Sequence, residues 1–149
     1  MSRWGRPILC GLIGLAPAST LLFAALMHHS ETTIPMPAPG EKTPLQKLEY
    51  RARFVASIDS VTLQTKSEAG ADPIISEWVF TGSNTDGQAH RVEIVLRLLN
   101  DSGQQVGFYS ARKILPAGAH GIELSLATKV SSAGWSATKR VRIFADWMS

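Results

Sequence analysis

The run from Pro7 to Met27 has no ionisable side chain except Cys10, and this feature limits the chain more than any other. As an α-helix rising about 1.5 Å per residue it covers the roughly 30 Å hydrocarbon core of a bilayer. Ile8, Leu9, Leu12, Ile13, Leu15, Leu21, Leu22, Phe23 and Leu26 each favour insertion by about 0.3–0.6 kcal/mol near the helix centre. Their sum, about 3–5 kcal/mol, outweighs Ser19, Thr20, Gly11 and Gly14. The sequence therefore predicts a transmembrane signal-anchor helix over 7–27.

Direction follows from the flanks. Arg3 and Arg6 precede the apolar run, and the next Lys or Arg is Lys42. The positive-inside rule predicts residues 1–6 in the cytoplasm and the rest of the chain exported, as on a bacterial inner membrane or one derived from it. His28 and His29 stand where the helix emerges and suit a headgroup interface. Ala16-Pro17-Ala18 has the small-x-small form of a signal-peptidase site, so cleavage after Ala18, or near Ala25, is the rival to retention. The apolar run continues through Met27, longer than a usual signal peptide, and favours retention. Cys10, Gly14 and Ala18 fall at four-residue spacing, a stripe on which two helices could pack closely in lipid.

Residues 28–44 include Pro35, Pro37, Pro39 and Pro44, half of the eight prolines. They read as an extended, semi-rigid linker, of which Ser30 to Pro44 alone reaches up to about 45 Å at roughly 3.1 Å per residue. A domain of ordinary size then runs over 45–149. Leu45, Leu48 and Ala52 fit a short helical face and Tyr50, Ala52 and Phe54 a strand, and the segment reads as a short helix or lead-in. Beyond Phe54 the apolar period becomes two. Ile58, Val61 and Leu63 mark one strand, Ile74 to Thr81 a second and Val92 to Leu99 a third. Gln105 to Leu115, Gly121 to Val130 and Ser136 to Trp147 follow. Turn residues separate them: Gly82 to Gly87, Asn100-Asp101-Ser102-Gly103, Pro116-Ala117-Gly118 and Ser131-Ser132-Ala133-Gly134. The expectation is a mainly β chain with a six- to seven-stranded antiparallel sandwich.

Phe80-Thr81-Gly82-Ser83-Asn84, the alternating strand Val92 to Asn100, the turn Asp101-Ser102-Gly103 and Leu115-Pro116-Ala117-Gly118 occur in that order. This succession resembles the FxLyD-type and related immunoglobulin-like domains of bacterial membrane-anchored proteins. It departs from their pattern in the extra Ala117 and in Leu98-Leu99-Asn100, which stands where an aromatic–Asp pair is usual. The resemblance covers about a third of the chain. It implies an immunoglobulin-like sandwich with an accessory or interaction role, and brings no catalytic residue.

The residues themselves point the same way. The net charge is +3, but of fifteen basic residues Arg3, Arg6 and Lys42 precede the domain, leaving twelve, and of twelve acidic ones Glu31 and Glu41 do, leaving ten. No polybasic block results, which argues against nucleic acid as a partner. The domain has no cysteine and no Gly-x-Ser-x-Gly elbow, and its histidines are His90 and His120. Both read as solvent-facing residues at strand edges. A tethered ligand- or metal-binding module would need them to converge, and two histidines supply too few ligands alone. No catalytic, cofactor or metal residue is assigned. Trp78 is expected in the core, whereas Trp135 beside a turn and Trp147 near the end are candidate partner-contact aromatics. The expected function is that of a non-enzymatic, single-pass accessory or assembly factor with protein partners in its own membrane.

Overall fold

A computed structural model describes residues 27–46, 48–50 and 56–148. The predicted span over 7–27, with its stripe Cys10, Gly14 and Ala18, lies outside them except for Met27. No helix among the described residues is long and apolar enough to cross a membrane.

Among the described residues eight strands and one helix succeed each other: β1 (Met27–Pro35), β2 (Lys42–Pro44), β3 (Ala56–Thr65), β4 (Ile74–Asn84), β5 (His90–Leu99), β6 (Gln105–Leu115), β7 (Ile122–Val130), α1 (Ser132–Ala137) and β8 (Arg140–Met148). They form two four-stranded antiparallel sheets, ordered β1-β8-β5-β6 and β2-β3-β4-β7. The alternation in the sequence sets which side chains turn inward. Val92, Ile94, Leu96 and Leu98 of β5 and Val141, Ile143, Ala145 and Trp147 of β8 are all buried. They meet Val61 and Leu63 of β3 and Trp78 and Phe80 of β4 in one apolar cluster between the sheets. Burying each such side chain stabilises the fold by about 1.5–3 kcal/mol. Trp78 fills the core as expected, and its indole N–H donates to Thr128 Oγ1 at 3.1 Å.

Two conformational details follow from glycine. A Cβ on Gly82 would lie 2.8 Å from Leu115 Cδ2 and 3.3 Å from the Ser57 carbonyl oxygen, so a larger residue here would force the Leu115 side chain to shift. Gly103 closes the β5–β6 turn at φ +82°, where a side chain would be strained.

Several expectations change. The stretch 28–44 is not a spacer: β1 pairs along its whole length with β8, from Met27 opposite Met148 to Pro35 opposite Arg140, and β2 pairs with β3. The folded unit therefore takes in 27–44 as well as 45–148, with eight strands among the described residues. The physical reason is that an edge strand needs little apolar surface. Ser30 and Ile34 face inward, while His29, Glu31 and Thr33 are exposed. Residues 45–50 form no helix among the described positions; Leu45 and Leu48 are buried, and Glu49 bridges to Ser57. The expected turn at 131–134 is the start of α1, capped by Ser131, whose Oγ accepts from the Gly134 N–H at 3.1 Å. Trp147 is fully buried and cannot serve as a partner-contact aromatic.

Candidate functional site

The sequence-predicted residues are dispersed. Trp135, on α1, is half-buried edge-on against Trp78, with ring centres 6.4 Å apart. His90 is buried rather than solvent-facing: its Nε2 lies 2.8 Å from Asp86 Oδ2 and its ring 4.9 Å from that of Tyr50. His120 is exposed. No three His, Cys, Asp or Glu side chains among the described residues cluster as metal ligands.

The His90 end of the domain is built instead around Asn84. Its amide donates to the carbonyls of Gln88, Leu115 and Pro116 at 2.8, 3.1 and 3.2 Å, and its Oδ1 accepts from the Asp86 N–H at 2.9 Å. This one side chain ties the β4–β5 turn to the loop after β6. Asn84 here organises loops; it does not present chemistry.

A different surface gathers chemically notable groups: the outward face of β1-β8-β5-β6. Strand register arranges it in rows. Thr33, Arg142, Arg97 and Phe108 form one, and Glu31, Phe144, Val95 and Ser110 the next. His29, Asp146, Glu93 and Arg112 form a third, with Met27, Met148, Arg91 and Ile114 at the end. At the centre, the Arg97 guanidinium carbon sits 4.9 Å from the Phe144 ring centre and 5.5 Å from that of Phe108. Arg142 approaches Phe144 at 5.1 Å. Cations over aromatic faces are attracted by the ring quadrupole and stay planar and ordered. The Arg97 Nε is buried with no hydrogen-bond partner among the described residues. Phe108, half exposed at 50%, and Ile114, at 57%, are two of three exposed large apolar side chains among the described residues.

Charges border this cluster. Arg142 Nη2 donates to both Glu31 oxygens at 3.0 and 3.2 Å. His29 pairs with Asp146 through Nδ1 and lies 3.5 Å from Glu31 through Nε2. The hydrogen bond that His29 donates to Asp146, with a smaller contribution from Glu31, raises the His29 pKa above its ordinary value, against the opposing effect of burial. Glu31 is held below the usual carboxylate range by Arg142 and, less strongly, by His29. Arg91, Arg97 and Arg112 have no carboxylate within ion-pair distance among the described residues.

Sequence reasoning did not isolate Arg97, Phe108, Phe144, Arg91 or Ile114. The available signal was the outward register of β5, β6 and β8, which carries Phe and Ile where a purely solvated face would carry polar residues.

No protein-family model matches the chain, and no curated protein does. A solved structure that it matches is the enzymatically active domain of tailspike protein 4 from bacteriophage CBA120, at 14% identity and a TM-score of 0.26. The match covers 84% of this chain and spans 17% of the tailspike chain. Likeness at that level carries no argument about fold family or activity.

Proposed function

We propose that this protein is a non-enzymatic, single-pass accessory or assembly factor, held by the 7–27 segment in a bacterial inner membrane or one derived from it. It acts by protein–protein interaction through an exported, immunoglobulin-like sandwich. The observation that carries this reading is the outward-facing cluster of exposed Phe108, half-buried Arg97 and buried Phe144. Arg and aromatic residues dominate the energetics of protein interfaces, and here the guanidinium is held in place by ring stacking and flanked by apolar side chains. The apolar run with Arg3 and Arg6 before it supports the anchor and its direction.

The test is purification of the full chain, tagged at its C-terminus, in mild detergent. We expect specific membrane proteins to copurify and Phe108→Ser or Arg97→Gln to lose them. Phe108 is exposed, so its replacement leaves the fold intact. Copurification unchanged in both variants would remove the cluster from the interface, and the absence of any specific partner would overturn the interaction role.

A further inference from the structure

The apolar run ends at Met27, and Met27 is also the first residue of β1. On the anchored reading, no linker residue separates the 7–27 span from the sandwich. The row of the sheet that starts at Met27 is therefore the row nearest the bilayer. Register carries it across to Met148, Arg91 and Ile114. Beside it, Arg91, Arg112, Lys113, Ile114 and Met148 line a concavity of about 240 Å³. Three cations and two apolar side chains thus share one small surface at the end of the domain where the chain enters.

We infer that this end of the sandwich is a membrane-contacting surface that binds the anionic headgroups of phospholipids. This rests on the anchored reading given above. The occupant is identified by position and by charge. Arg91 and Arg112 are exposed and Lys113 half-exposed, with no carboxylate within ion-pair distance among the described residues. Asp146 is held by His29, which leaves Glu93 as the carboxylate in the neighbouring row without such a partner. Ile114 is the most exposed large apolar side chain among the described residues, and a bulky apolar group beside arginines is what a headgroup layer accommodates. Each cation brought to an anionic surface strengthens contact by about fivefold. A second copy of the chain is the poorer occupant, because its own arginines would oppose these.

The same geometry separates two tasks. Phe108 lies six residues before Ile114 on β6, about 20 Å along the strand. The Arg97–Phe108–Phe144 cluster remains clear of the headgroups for a protein partner while Arg91, Arg112 and Lys113 meet lipid.

The experiment uses the full chain reconstituted in vesicles, with Cys10→Ser and a single fluorophore at Ala117→Cys, beyond the end of β6 near this surface, or at Ser102→Cys in the β5–β6 turn at the opposite end. A headgroup-attached quencher reports proximity. Vesicles of phosphatidylcholine are compared with vesicles enriched in phosphatidylglycerol. We expect quenching at position 117 but not at 102, deeper with phosphatidylglycerol, and reversed to the phosphatidylcholine level by Arg91→Glu with Lys113→Glu. Equal quenching at both positions, or indifference to phosphatidylglycerol and to charge reversal, would overturn the inference. Alkaline carbonate extraction of the same vesicles tests the anchor separately. A chain that resists extraction without quenching at 117 keeps the anchor and loses the lipid surface. An extractable chain still quenched in a phosphatidylglycerol-dependent way keeps the surface and loses the anchor.

Discussion

Asn84 shows how much one polar side chain can hold. It satisfies three carbonyls from two loops and accepts a backbone N–H, in a site with no exposed surface. Replacing it with leucine would remove all of these bonds at once, the buried one to the Leu115 carbonyl and the part-buried ones to Gln88 and Pro116. We expect Asn84→Leu to cost about 2–3 kcal/mol, read as a lowered urea midpoint with unchanged slope. An unchanged midpoint would show that water replaces the amide. His29 is a second residue whose role is testable. Its pKa is raised in the folded state, so its contribution is fully present below about 6.5, the unfolded value, and is lost as pH rises through the higher folded value. His29→Gln should therefore remove a loss of stability seen in wild-type protein just above that pH. Glu31 runs in the opposite sense: its pKa is depressed, so its contribution is present above about 4.5 and lost as pH falls through the folded value. Parallel unfolding curves across pH for wild type and His29→Gln check the first; the same comparison with Glu31→Gln in acid checks the second.

Among the elements, β1 separates what the sequence disclosed from what it did not. β5 and β8 could be read directly, because Val92 to Leu98 and Val141 to Trp147 bury every second residue. β6 could also be bounded from turn chemistry at Asn100-Asp101-Ser102-Gly103 and Pro116-Ala117-Gly118. β1 could not, since an edge strand whose inward residues include Ser30 and Thr32 carries almost no apolar period and is followed by a proline cluster. α1 was hidden for a related reason: Ser131 to Gly134 is turn-like in composition, and the helix is stabilised by the Ser131 cap and by Trp135 against Trp78. A practical consequence follows for truncation. A fragment starting at Leu45 would leave β8 with an unpaired edge and remove Ile34 from the core. We expect that fragment to be aggregated or largely unfolded, and one starting at Met27 to show a cooperative transition by circular dichroism. Two fragments of equal stability would mean that β1 is dispensable.

For the molecule as a whole, the two sheets share one core and Trp78 and Trp147 anchor its opposite walls. Trp147→Ala should cost about 3–5 kcal/mol, a large part of the 5–15 kcal/mol that holds a typical domain folded. Thermal unfolding followed by circular dichroism would detect it, and a small shift would mean that the sheets close over the void. The candidate interaction face could not be read from the chain because it is a product of register. Arg97, Phe108 and Phe144 come from three strands, and a slip of one residue in any of them would send its side chain to the other side of the sheet. Alternation tells which side chains share a face within a strand; only the pairing tells which meet across strands. Met27 has a consequence at this scale as well. With the anchor in place, a domain joined to it without slack does not sweep a hemisphere as a tethered ball does. So anchored, it would turn about the membrane normal like a flag on a short pole, and would meet other membrane proteins by lateral diffusion at a fixed height and tilt. Encounter then becomes a two-dimensional search in which much of the orientation is settled before the partners touch, and lengthening the join would slow assembly even if every contact residue were kept.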